Sequence, residues 1–105
     1  MIGGIIVSGS ADDSLLIRAI GPSLPLPNDL ADPVLELHDA DGVTLMTNDN
    51  WRDTQEADIE GTGLAPSNDA EAAILTILSP GAYTAIVRGA GDTTGIALVE
   101  AYGSI

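Results

Sequence analysis

The sequence predicts an all-β protein, a two-sheet antiparallel β-sandwich of jelly-roll type with about seven or eight strands and one short helical turn. Three observations carry this expectation. Short apolar runs rich in β-branched residues recur along the 105 residues, and none has the length of an ordinary amphipathic helix. Gly, Pro, Asn and Asp separate them at spacings that suit tight turns. Hydrophobic residues make up 45% of the chain while aromatics make up 3% and Phe is absent, so the core has to be built from Ile, Leu, Val and Ala.

Taken in order, Ile2–Ser8, Ser14–Ile20, Val34–His38, Val43–Thr47, Ala72–Leu78, Ala82–Arg88 and Gly95–Tyr102 read as strands. Asp39-Ala40-Asp41-Gly42 closes a hairpin between the third and fourth, with Gly42 free to take a positive φ. Gly21–Pro33 contains four prolines and reads as a crossover between sheets. Thr54–Glu60, with Thr54 as a cap and Ala57 and Ile59 able to pack, reads as one or two helical turns. Ser79-Pro80-Gly81 is a second tight turn. Gly89–Gly95 reads as a longer hairpin loop joining the last two strands. The length fits one domain, 1–105.

Sixteen acidic residues stand against three arginines, for a formal net charge of −13. Phosphate recognition needs clustered cations, so this balance argues against nucleic acid and against an anionic membrane surface as partners. No apolar run approaches the length of a membrane span. The chain has no cysteine, which excludes a disulfide framework, thiolate metal sites and a thiol nucleophile. Met1–Val7 is apolar but lacks the basic start and cleavage pattern of a signal peptide, so export would use a signal outside these residues.

Four constellations stand out. Asp39, Asp41, Asn48, Asp49, Asn50 and Asp53 gather oxygen ligands on a hairpin turn and on the loop past its second strand. Calcium wants six to eight oxygens, but these residues serve equally as turn formers that bond their own backbone. Trp51, the sole Trp, is either a ligand platform or a plug at one end of the sandwich. Arg18, Arg52 and Arg88 should each find a carboxylate, with Glu36 and Glu100 the candidates for the mid-strand Arg18. His38 is the only histidine and has no nucleophile pattern beside it. No nucleophile elbow, zinc-protease helix or phosphate loop is present, so no catalytic residue is assigned and the chain is expected not to be an enzyme.

Strand faces suggest contact surfaces. Both faces of the last two strands carry apolar residues, where a lone sandwich would show one polar face. Either loops cover the outer face or another module does. Ala97, Val99 and Ala101, beside Ala85 and Val87, are candidates for such an interface. Ile2, Ile5, Ile6 and Val7 form a terminal strand that is either an edge strand of its own sheet or one given to a neighbour.

Val34-Leu35-Glu36-Leu37-His38-Asp39-Ala40-Asp41-Gly42, followed by Asn48-Asp49-Asn50-Trp51, resembles a signature of bacterial pre-peptidase C-terminal-like domains. Leu78-Ser79-Pro80-Gly81-Ala82-Tyr83-Thr84-Ala85-Ile86-Val87, then Thr94-Gly95, extends the likeness, which covers Val34 to Tyr102. The whole chain also resembles a module found near the ends of, or repeated in, large secreted bacterial proteins, through Ile2-Gly3-Gly4, Ile17–Leu24, Asn48–Asp53, Ile86-Val87-Arg88-Gly89 and Thr93-Thr94-Gly95. The resemblance implies a jelly-roll-like sandwich, one excised repeat of a longer chain, at an extracellular or cell-surface location. It implies a non-catalytic structural or adhesive role, packing with like modules in an array or filament. The alternative it leaves is an accessory domain that targets a secreted hydrolase to carbohydrate or protein and is stabilised by Ca2+. His38 stands where the pre-peptidase group has Tyr, and exposed aromatics are few.

Overall fold

The computed structural model describes residues 1–105 and contains seven strands in two antiparallel sheets. The strands are β1 (Ile2–Val7), β2 (Asp13–Ile20), β3 (Pro33–His38), β4 (Thr44–Asn48), β5 (Ala72–Leu78), β6 (Gly81–Gly89) and β7 (Leu98–Tyr102). One sheet has the order β1-β6-β3-β4 and the other β5-β2-β7. A short helix, α1 (Glu56–Gly61), and one 3-10 turn, Ala90–Asp92, complete the elements.

Period-two alternation sorts each strand into a core face and an outer face. In β2, Leu15, Ile17 and Ala19 point inward and join a cluster of 13 buried residues between the sheets, while Leu16, Arg18 and Ile20 point outward. Leu35 and Leu37 of β3, Ile74 and Leu78 of β5, and Ala85 and Val87 of β6 complete the middle of that cluster. No aromatic ring belongs to its buried members. Burying aliphatic side chains of this kind contributes about 1.5–3 kcal/mol each, which is how a core without Phe holds two sheets together.

A second cluster lies on the outer side of the three-stranded sheet. Leu16 and Ala73 pack there against Trp51 and Ile59, with Leu64, Ala65 and Leu75 around them. The segment between β4 and β5 folds back over this face, so loops and α1 cover the outer apolar residues of β2 and β5. Trp51 is 2% exposed and lies under α1, not at an end of the sandwich. Its indole N–H has no partner.

Some elements differ from the sequence reading. Gly89–Gly95 does not close a hairpin. β6 pairs with β1 and β3, whereas β7 pairs with β2 in the other sheet. The loop therefore crosses between sheets, and a parallel bridge between Asp29 and Ile96 anchors it to the other crossover. That bridge takes Ile96 out of the last strand, which begins at Leu98. The helix starts at Glu56 with Gln55 as its cap residue, and no side chain caps it. Thr54 instead accepts a long hydrogen bond from Asn48 Nδ2 (3.4 Å), and the Gln55 side chain is engaged on β5. Gly42 takes φ 82° in the β3–β4 turn, as that turn requires.

Candidate functional site

Each sheet has two edges, and the chain treats them differently. The free edge of β5 is blocked by side chains. Asn48 Oδ1 accepts from Ala73 N (3.0 Å), and the Gln55 amide both accepts from Leu75 N (3.0 Å) and donates to Leu75 O (2.8 Å). These two amides stand where a further strand would pair, which is one way to keep an edge from recruiting partners. No side chain bonds to the backbone of β1, β4 or β7.

The β1 and β7 edges lie side by side, across the gap between the sheets. Gly3 is so close to Val99 that a side chain at position 3 would press on its methyl group. A slot of about 160 Å³ opens there, lined by Gly3, Gly4, Ile5, Ala85, Val99, Glu100 and Ala101. At the Met1 end of β1 the surface widens into a groove of about 490 Å³ bordered by Leu30, Arg88, Asp92 and Thr94–Ala97. Met1 fixes that end by a backbone pair with Val87, donating to its carbonyl (3.0 Å) and accepting from its N–H (2.8 Å).

Exposed apolar side chains flank these two edges, on opposite outer faces of the sandwich. Of ten large hydrophobic residues exposed on the whole surface, Met1, Ile2, Ile6, Ile96 and Leu98 lie in β1 or β7 or directly before them. Ile2 and Ile6 are 72% and 79% exposed on the outer face of the four-stranded sheet. Ile5 and Val7 point inward, and Val7 is buried. The strand is thus an edge strand of its own sheet. Ala97, Val99 and Ala101 face the interior, so they do not form an outer stacking face: Ala97 is in the core beside Ala85 and Val87, and Val99 packs on it. Ala101, paired with the fully buried Ile17, is nonetheless exposed, because nothing lies beside β7 to cover it.

The candidate cation ligands do not converge. Asp39 Oδ1 accepts from both Asp41 N and Val43 N (2.9 Å each) within its own turn. Asn48 is buried with its oxygen committed to Ala73 and its amide nitrogen to Asn50 O. Asn50 donates to Asp53. Asp49 turns instead toward Asp32. Its carboxyl lies above the ordinary value through desolvation first, then the neighbouring carboxyl of Asp32 and the charge of Asp53. Nowhere do three His, Asp or Glu side chains come together in a way that could hold a metal ion. The donor set implied for calcium does not fit one site.

The remaining ionisable groups are bound to one another. Arg18, on the outer face of β2, meets Glu100 across the strand pair at 2.5 Å and also bonds Tyr102 Oη and Leu64 O. Burial pushes Glu100 up, but the hydrogen bonds from Arg18 and Tyr102 outweigh it and hold the carboxyl below its ordinary value. Glu36 pairs with Arg88 (2.8 Å) and His38 (3.0 Å), and those two bonds, Arg88 first, lower it. His38 has an acceptor at each ring nitrogen, Gly42 O and Glu36 Oε1. Only the imidazolium donates from both, and the ring is accordingly shifted up. Arg52 lies over the Trp51 ring (4.3 Å) and bonds Glu56, Glu60 and Asp69, latching α1 to the loop that precedes β5.

One polar residue escaped the sequence reading. Glu71 is fully buried. Its Oε2 accepts from Gly21 N (2.9 Å), Ser23 N (3.0 Å) and Ser23 Oγ (2.5 Å), and its Oε1 from Asn68 N (3.1 Å). Its own carbonyl accepts from Trp51 N (2.9 Å). It therefore ties the β2–β3 crossover and the Trp51 loop to β5. The sequence signal for it is an acid directly abutting an apolar strand with Asn three residues before.

The fold and its surfaces define an antiparallel two-sheet β-sandwich whose β5 edge is blocked by side chains and whose β1, β4 and β7 edges are free. Comparison with family models, with curated proteins and with solved structures finds no match to this chain. No helix is long and apolar enough to cross a membrane.

Proposed function

We propose that this chain is a non-catalytic structural or adhesive module that packs against like modules, in a repeat array or filament, outside the cell. The observation that carries the reading is the open side of the sandwich. Half of the exposed large hydrophobic residues lie along β1 and the start of β7, beside two free strand edges, while the β5 edge is blocked by Asn48 and Gln55. Exposed apolar residues that cluster beside unpaired edges mark contact surfaces. The likeness to modules repeated in large secreted proteins points the same way. A sugar-binding role lacks its platform, because Trp51 is buried.

Sedimentation equilibrium tests this. With a net charge of −13, copies repel at low salt, so association should strengthen as salt screens them. Replacing Ile2 and Ile6 together by Asp should weaken association at least tenfold while leaving the melting temperature nearly unchanged, since both residues are exposed. A monodisperse monomer at high micromolar concentration and high salt would overturn the reading.

A further inference from the structure

We propose that the chain cuts itself at the peptide bond between Asp32 and Pro33, the Asp32 side-chain carboxylate attacking its own main-chain carbonyl. This goes beyond the packing role and is independent of it: the chain acts once, on itself, and turns over no substrate.

The sequence supplies the reacting pair. Of the six prolines, only Pro33 follows an acidic residue. An Asp carboxylate that attacks its own carbonyl carbon closes a cyclic anhydride, and a nucleophile held on the same residue has a large effective concentration. The leaving atom is the proline nitrogen. It carries no N–H in the chain and departs as a secondary amine, which is more basic than an ordinary peptide nitrogen.

The fold adds what a loose Asp-Pro pair lacks. Asp32 Oδ1 is buried and has no hydrogen-bond partner, so no donor competes for the attacking oxygen. The main-chain carbonyl of Asp32 accepts from Ala90 N (2.9 Å), a donor already in place where negative charge gathers during attack. Pro33 is fully buried at the start of β3, which fixes the other side of the bond. Asp49 stands beside the Asp32 carboxyl. Desolvation first, then that carboxyl and the charge of Asp53, keep the Asp49 proton in place above the ordinary carboxylate range, against the opposing charge of Arg88 on β6. A retained proton is what the Pro33 nitrogen needs as it leaves.

The step balances. A bond forms from the Asp32 carboxylate oxygen to its carbonyl carbon, and the bond from that carbon to the Pro33 nitrogen breaks. The electron pair goes to nitrogen, which takes the proton of Asp49. Asp32 is left as an anhydride and Pro33 as a new amino terminus. Water then opens the anhydride to two carboxyls, and Asp49 regains a proton. Asp32 as a whole is only half-buried, so water reaches it. The nicked module stays assembled, because β1 remains on β6 and β2 remains between β5 and β7.

Mass spectrometry of the folded chain, incubated from mild acid to neutral beside the urea-unfolded chain, tests this. Fragments 1–32 and 33–105 should appear at least tenfold faster from the folded chain, and more slowly as pH rises through the raised Asp49 value. Asp32→Asn should stop the cut. Asp49→Asn should slow it at least tenfold and remove that fall with pH in the folded chain, with no effect in the unfolded one. Hydroxylamine should trap the anhydride as a hydroxamate on fragment 1–32. The nicked protein should elute as one species and come apart in urea. No fragments after days in mild acid, equal rates in the folded and unfolded chains, or no hydroxamate would each overturn the proposal. Sedimentation of Asp32→Asn reads self-association separately, so failure of the cut leaves the packing role standing.

Discussion

Glu71 gives the most quantitative test of how the loops are held. Four hydrogen bonds end on its buried carboxylate, from Gly21, Ser23 (two) and Asn68, and no arginine reaches it. Hydrogen bonds to a charged group contribute about 1.5–3 kcal/mol each, and a buried donor left without its partner costs about 1–3 kcal/mol. Only the Gly21 bond is wholly buried, so the donors around a Glu71→Ala cavity regain part of this from water. The net loss should be about 4 kcal/mol, in the range for breaking a buried charged contact. At about 4–8 °C per kcal/mol for a domain near this size, the melting temperature should fall by roughly 15–30 °C. Glu71→Gln keeps the shape and the Oε2 side but turns an N–H toward Asn68 N, and should cost about 2 kcal/mol. Urea unfolding followed by Trp51 fluorescence reads both, because that ring is buried in the fold. Ser23→Ala should lose much of its effect in the Glu71→Ala background, since the two share a bond. A loss below about 1 kcal/mol for Glu71→Ala would refute this account of the crossover.

Other consequences follow from the ionised pairs and the guarded edge. Glu36 and Glu100 have lowered values in the fold, so their stabilisation is present above the ordinary carboxylate value and is lost as pH falls through the lowered ones. Asp49 is raised and acts in the opposite sense, its cost relieved as it takes up a proton. Stability should therefore stay level or rise slightly from neutral into mild acid and then drop, and Glu100→Gln should flatten the drop at a cost of about 2 kcal/mol near neutrality. His38 is raised, so its contribution is full below the ordinary imidazole value and fades as pH rises through the raised one; His38→Asn should remove that sloping part of the stability profile. Gln55→Ala should cost about 1–2 kcal/mol and increase light scattering on storage, because it frees the β5 edge. A chelator or added calcium should leave the melting curve unchanged, as the oxygens of Asp39 and Asn48 are already bonded within the chain.

The fold class was legible because the aliphatic runs alternate cleanly: Ala85 and Val87 face the core as the pattern in Ala82–Arg88 requires. The hairpin at Asp39–Gly42 was legible from its turn chemistry. What could not be read was which sheet each strand joins. Seven residues from Gly89 to Gly95 suffice for a hairpin or a crossover, and the bridge from Asp29 to Ile96 that decides it links residues far apart in the chain. For the same reason Ala97, Val99 and Ala101 looked like an outer face when they line the inner one. The arginine partners were half legible. Glu36 and Glu100 are both used, but Arg88 takes the first and Arg18 the second: Arg18 stands directly opposite Glu100, and Arg88, opposite Val34, reaches Glu36 along the diagonal. Glu71 looked like any loop acid, its main donors being 48 and 50 positions away. Gln55 looked like a helix former, and its role on the β5 edge exists only once the loop folds over the sheet.

The central claim is that association uses the β1 and β7 side and no other. Amide hydrogen exchange on the intact chain, compared at low and high micromolar concentration in high salt, tests it directly. Protection that rises with concentration along Ile2–Val7 and Ile96–Tyr102, with Ala72–Leu78 and Thr44–Asn48 unchanged, is the expected result. Protection that rises along the β4 or β5 edge, or at no position, would contradict the claim.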